Sequence, residues 1–177
     1  MMSTIYEPQP GKAWYLGHSA WLIDTGLQLL LFDYGRVPDR SSSGPPGSGV
    51  FDPSIIAGRP FTAFFSHQHG DHYHPDLHQQ IAAMDGTHVV VGLDKRQNGR
   101  GLPMRQTVVM CPHEQAAVGN LTIHASGSTD SGVSFLIFAP EMTIYHGGDL
   151  AAWDDTTWFR ETYRQEIDWL AARLAKS

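Results

Sequence analysis

Apolar residues in this chain come in short runs separated by turn residues. Residues 13–16 and 21–24 read as strands, and Thr25-Gly26 turns the second into the run 27–32, a hairpin signal. That run, Leu27-Gln28-Leu29-Leu30-Leu31-Phe32, is almost wholly apolar, which predicts a strand covered on both faces. Further strands are predicted over 61–66, 89–91, 107–110, 121–125, 133–138 and 142–145. Helical spacing occurs twice. Residues 75–84 open on Pro75, which suits a first helical turn. Near the far end, Phe159, Tyr163, Ile167, Leu170 and Leu174 recur every three or four positions, which predicts a helix over 157–175. Its stripe is expected to pack into the core, with a contact between copies as the alternative. Asp154 and Asp155 precede it, where carboxylates favour a helix start. The pattern breaks between 35 and 60: the stretch 40–49, rich in Ser, Gly and Pro, predicts an irregular loop, and 95–105 predicts another. Short strands with few helices and no internal repeat indicate an α+β chain with two sheets. The regular alternation of a doubly wound fold is missing. The 177 residues read as a single domain.

Composition narrows the classes. With 41% hydrophobic and 17% charged residues the chain suits a globular core. A formal net charge of -6 disfavours nucleic acid as a partner. The one cysteine, Cys111, cannot form an internal disulfide, so a reducing compartment is tolerated and a cytoplasmic location is expected. No basic-then-apolar leader opens the sequence, and no stretch of eighteen apolar residues offers a membrane span. The outlier is histidine: ten in all, with His67, His69, His72, His74 and His78 falling close together.

Five of those residues belong to, or follow, the run His67-Gln68-His69-Gly70-Asp71-His72 at the end of the apolar strand 61–66. Imidazoles and a carboxylate are natural ligands for zinc, manganese or iron. His67 and His69 alternate, so on an extended strand end they point the same way. Gly70 is expected to let the backbone turn sharply and bring Asp71 and His72 back. Two imidazoles on one ion, with Asp plus His on a neighbour, would suit a dinuclear centre sharing a water. Asp149, after Gly147-Gly148 at another strand end, can add a carboxylate able to bridge two ions. His146 reads as a ligand, a support for one or a strand residue. Asp130 reads as a turn organiser or a contact to metal or substrate. His18 sits in a turn, and His74 and His78 read as surface or helix-face histidines with a supporting role as the alternative.

The run HxHxDH, the context HSAWLIDTG…LLFDY over 18–34, the turn GSTDSGVSFLI over 127–137 and GGDL over 147–150 carry a likeness. The chain resembles the metallo-β-lactamase superfamily, and within it the small lactonase-like and ribonuclease-Z-like metal hydrolases. The resemblance covers about residues 14–149. It implies an αββα sandwich with His67 and His69 on a first metal, Asp71 and His72 on a second, and Asp149 bridging them. Asp71 would also orient the attacking water, and His18 would lie near the metals, contacting substrate or supporting a ligand. Two departures stand out. The turn that usually supplies a further histidine reads Ser128-Thr129-Asp130, and no histidine follows His146. His113 and His124 do not match by position. The C-terminal part of the family pattern is therefore expected to be lacking, with water, Asp130 or a second chain completing each metal, and with partial occupancy or a single ion.

The function expected is a metal-dependent hydrolase, zinc first with manganese or iron as alternatives, using a metal-activated water on a small-molecule ester, lactone, amide or phosphodiester. A homo-oligomer completing an exposed sheet edge fits the same reading. A non-catalytic metal-binding or metal-stabilised protein is the alternative, and iron-dependent redox chemistry on the same ligands is a third.

Overall fold

A computed structural model of the chain describes residues 9–36, 46–56, 58–94, 101–153 and 156–175. Among the described residues ten strands and two α-helices follow one another: β1 (Lys12–Gly17), β2 (Ala20–Asp24), β3 (Leu29–Phe32), β4 (Phe61–Phe65), α1 (Pro75–Ala82), β5 (Thr87–Gly92), β6 (Thr107–Met110), β7 (Gln115–Val118), β8 (Leu121–Gly127), β9 (Val133–Phe138), β10 (Thr143–His146) and α2 (Thr157–Leu174). The strands form a six-stranded sheet in the order β1-β2-β3-β4-β5-β6 and a four-stranded sheet in the order β10-β9-β8-β7. The first is mixed: β1, β2 and β3 pair antiparallel, whereas β3 and β4 run parallel. The second is an antiparallel meander. The α+β class is therefore observed, and the doubly wound alternative is not.

The chain divides into two compact units. The first comprises Met1–Phe65, His69–Val90 and Gly101–Val108, and holds β1 to β4 and α1. All four residues of β3 are buried, as its unbroken apolar run predicts. Phe32 stacks on Phe64 of the neighbouring strand at 4.9 Å between ring centroids. Asp24 closes the β2–β3 turn. It is fully buried, accepts hydrogen bonds from the backbone N–H groups of Gln9 and Gly26, and is clamped by both terminal nitrogens of Arg59. Burial alone would raise its carboxyl, but these donors hold it below the usual aspartate value.

The second unit comprises Ser66–Gln68, Val91–Arg100 and Val109–Ser177. Its centre is formed by Ile123, Phe135 and Ile137, all fully buried. Leu170 of α2 packs with Leu136 and Leu150, flanked by Phe138, Tyr163 and Trp169.

Several local expectations need correction. Leu27 is exposed and β3 begins only at Leu29, because residues 25–28 are spent on the turn, where Thr25 bonds Gln28. Strand β7 carries no apolar alternation strong enough to announce it: Gln115-Ala116-Ala117-Val118 gains its strand form by pairing with β8. Within the predicted irregular loop, Pro46–Ser48 forms a short 3₁₀ turn. Residues 37–45 and 95–100, and the helix-preceding Asp154 and Asp155, lie outside the described residues. The apolar stripe of α2 is only partly core: Ile167 and Leu174 are exposed, while Glu166, which is not one of its residues, is buried. Its carboxylate accepts hydrogen bonds from the backbone N–H of Gly127 at 2.7 Å and from His113 Nε2 at 2.9 Å, which is why the helix turns that face inward.

Candidate metal centre

In the first unit the site begins with two parallel strands. Phe32 pairs with Phe64, so the carboxyl ends of β3 and β4 lie side by side. Asp33 follows β3 directly. Its backbone is left-handed (φ 41), its N–H donates to Phe64 O at 2.9 Å, and its side chain is fully buried. Beyond the motif's first histidine, a helical turn is closed by the N–H groups of His72 and Tyr73, which both donate to His69 O. This turn lays the His72 imidazole on Asp33, with Nδ1 2.9 Å from Oδ2 and both groups buried. With Nδ1–H donating to that carboxylate, Nε2 carries the lone pair, the usual arrangement of a metal-ligating histidine. Asp33 is the residue of this candidate site that the sequence reading missed. An acidic residue ending an apolar run one strand before the motif was its available signal.

Asp71 is held from below. A Cβ on Gly35 would lie 2.1 Å from the carbonyl carbon and oxygen of Asp71, so only glycine fits there. The next residue, Arg36, donates its N–H to Gly70 O at 2.6 Å. Gly70 itself is not the hinge the sequence suggested. It has no left-handed backbone, and a Cβ there meets nothing within 4 Å. The bend is an ordinary helical turn closed by backbone hydrogen bonds. His18, in the β1–β2 connection, brings Nε2 to 3.4 Å from Asp71 Oδ2, and His72 Nε2 lies 3.7 Å from the same oxygen. One donor atom from each of His18, Asp71 and His72 can be chosen so that all lie within 4.8 Å of one another. The donor set fits a divalent ion of the zinc, manganese or iron type: two imidazoles and a carboxylate, with Asp71 about half exposed. His69, also in this unit, is exposed.

In the second unit His67 is fully buried, with Nδ1 3.0 Å from Ser66 Oγ and Nε2 3.6 Å from Asp149 Oδ2. Glycines of the two later motifs and of the end of β5 explain how close this packing is. A Cβ on Gly132 would fall 2.0 Å from Ser66 O, one on Gly92 2.3 Å from the same oxygen, and one on Gly148 2.7 Å from Ser66 Cβ. Val133 N–H donates to Ser66 O at 3.0 Å, fixing the segment that carries His67. Thr129 Oγ1 donates to the carbonyls of Asp149 and Ala151 and accepts the N–H of Ala151, tying the GSTDSG turn to the GGDL turn. Asp130 is exposed, its N–H bonded to Ser128 Oγ. His146 is a strand residue of β10, opposite Phe135.

His74 and His78 play structural parts. His74 caps α1, its Nδ1 accepting the N–H of Leu77. His78 is a buried helix residue, not a surface one: Nδ1 lies 2.8 Å from Tyr73 Oη and Nε2 2.8 Å from Thr107 Oγ1. Burial pushes its imidazole down to about 4 and the Tyr73 phenol up to about 12. His124 is also lowered, by burial and by Arg173.

A sequence profile of the β-lactamase superfamily domain matches residues 13–167. The chain belongs to the β-lactamase superfamily. The match runs through both units. A UPF0173 metal-dependent hydrolase of Pyrobaculum arsenaticum is 28% identical over 164 residues, covering 87% of this chain and 68% of that protein. Among solved structures, CmlA, a diiron β-hydroxylase from Streptomyces venezuelae, superposes with a TM-score of 0.54 at 17% identity over 86% of this chain. A metallo-β-lactamase from Staphylococcus aureus superposes with a TM-score of 0.52 at 15% identity over 90% of this chain. The chain spans about a third of the length of CmlA and half that of the staphylococcal protein. These likenesses show the metallo-β-lactamase-like α+β fold. Among the described residues no helix is long and apolar enough to cross a membrane.

Proposed function

We propose that this chain is a metal-dependent hydrolase of small molecules acting on an ester, lactone, amide or phosphodiester. The observation that carries the reading is the His18, Asp71 and His72 group, in which a buried carboxylate fixes the His72 imidazole. Membership of the superfamily and the metal-dependent hydrolases among its relatives support it. The reading assigns ligand roles to His67, His69, Asp71, His72 and Asp149, with zinc the preferred ion and manganese or iron the alternatives. A divalent ion at these donors supplies Lewis acidity and a more acidic water. Asp33 keeps His72 in the tautomer whose Nε2 is a donor. Asp71 is open to solvent on one side, so its carboxylate can accept a hydrogen bond from an attacking water and orient it. His18 stands beside it on the accessible side, placed to support that carboxylate or touch substrate. The matched range supports treating the two units as one working domain. The formal net charge of -6 favours a small substrate over nucleic acid.

The test is calorimetric titration of zinc and manganese into wild type, His69→Ala and Asp149→Ala, paired with turnover of ester, lactone, amide and phosphodiester substrates. Each substitution is expected to weaken binding at least about tenfold, the lower range for losses around a metal site. Mild acid is expected to release the ion, because imidazoles must be neutral to ligate. Unchanged affinity and stoichiometry in both variants would refute the ligand set. Tight binding without turnover on any class would favour a metal-stabilised protein with no catalytic role.

A further inference from the structure

His18 has a backbone that histidine does not adopt cheaply. Its φ is 51, directly after Gly17 at φ 93, in the two-residue connection between β1 and β2. A non-glycine residue held in this region costs on the order of 1 kcal/mol, and such strain collects where a side chain must be aimed. What it aims at is specific. Nδ1 lies 3.1 Å from Ser19 Oγ, and the ring meets His72 edge to face with centroids 5.2 Å apart. With Nδ1–H donating to Ser19, the lone pair of Nε2 faces Asp71 Oδ2 at 3.4 Å.

That distance is informative. A charge-assisted hydrogen bond between imidazole and carboxylate closes to about 2.7–2.9 Å, and His72 makes one with Asp33 at 2.9 Å. Neither His18 Nε2 nor His72 Nε2 does so with Asp71: they stand 3.4 and 3.7 Å from the same oxygen. Two donors about 2.0–2.1 Å from a tetrahedral ion are separated by roughly 3.3–3.4 Å. Both distances are longer than such a hydrogen bond and close to the separation of two ligands of one ion, and all three donor atoms lie within 4.8 Å of one another.

We propose that His18, through Nε2, is a direct ligand of a divalent ion that Asp71 and His72 also hold. This rests on the reading of the site as a metal centre and deepens it, adding a protein ligand from outside the HxHxDH run. It yields two imidazoles and one carboxylate from a single unit of the chain, with positions left for water and substrate. Ion binding then fastens the β1–β2 turn to the loop that carries Asp71.

The test uses the full chain as wild type, His18→Asn and His18→Gly. Asparagine and glycine both accept the left-handed backbone, so neither adds strain. Zinc affinity is read by competition with a chromophoric chelator, ligand number by the visible absorption of the cobalt(II)-loaded chain, and folding of the metal-free chain by circular dichroism. Both variants are expected to fold, to bind zinc about 10- to 100-fold more weakly, and to show an altered cobalt spectrum. Wild-type affinity and spectrum in either folded variant overturns the assignment of His18 alone. A wild-type chain that binds neither zinc nor cobalt overturns it together with the metal-centre reading.

Discussion

Gly35 and Gly70 lie on opposite sides of the same argument about the Asp71 loop. Gly70, inside the motif, looks indispensable in the sequence, yet a side chain there would meet open space. Gly35 is outside the motif and unremarkable in the sequence, yet its Cα abuts the backbone of Asp71, and backbone cannot move aside as a flexible side chain can. Gly35→Ala is therefore expected to destabilise the chain by about 1–3 kcal/mol, the range for overpacking, and to weaken zinc binding by displacing Asp71. Gly70→Ala is expected to change stability by less than about 0.5 kcal/mol, as for exposed substitutions. Urea unfolding and zinc titration of the two variants check this, and equal effects from both would refute it. At this scale the donors of the run were legible because imidazole and carboxylate announce their chemistry. Asp33 was not, because its partner, His72, is 39 positions away and is brought to it only by the parallel pairing of β3 and β4.

Among the elements, α2 shows where periodicity misleads. The stripe of apolar residues fixes a helix, and Thr157–Leu174 is one, its first turn capped by Thr156. The buried face is nevertheless shifted toward Glu166, because the β8 end offers an inward-facing N–H at Gly127 and a histidine at His113. The His113 ring also lies against Trp169, at 5.1 Å between centroids. Removing the carboxylate strands the Gly127 N–H in a buried place. Glu166→Ala is expected to cost about 1–3 kcal/mol, the range for an orphaned buried polar group, whereas Ile167→Ala, at a partly exposed position of the stripe, is expected to cost less than about 1 kcal/mol. Chemical denaturation of the two variants decides between them: a larger loss for Ile167→Ala would mean that the apolar stripe, and not the polar anchor, holds the helix. Strand β7 makes the complementary case. Two alanines and a glutamine have little strand preference of their own, and pairing with β8 supplies the missing hydrogen bonds.

For the whole molecule, acid response follows from groups folded in their neutral or paired forms. His78 is buried with its imidazole lowered to about 4 from 6.5. The unfolded chain binds its proton more tightly, so the stability tied to neutral His78 is complete above about pH 6.5 and is lost as pH falls toward 4, by up to about 3 kcal/mol. Asp24, lowered by Arg59 and two backbone donors, acts at the other end: its contribution is present above the ordinary value of 3.8 and is lost only in stronger acid. His78→Gln is expected to be less stable at neutral pH but to lose the slope between about pH 6.5 and 4; metal-free unfolding curves across that range test it, and an unchanged slope would place the titrating group elsewhere. The sequence by itself determined the α+β class, most strand positions, both helices and the imidazole and carboxylate groups of the HxHxDH run, because burial periodicity and side-chain chemistry are local properties. It also carried the likeness to the superfamily to which the chain belongs. Only the tertiary structure decided that Asp33 orients His72, that Gly35 and not Gly70 is sterically required, and that three separate glycines press on Ser66 ahead of His67. Each of these joins residues far apart along the chain, and such contacts are set by strand pairing and close packing, which no local pattern of apolar and polar positions encodes.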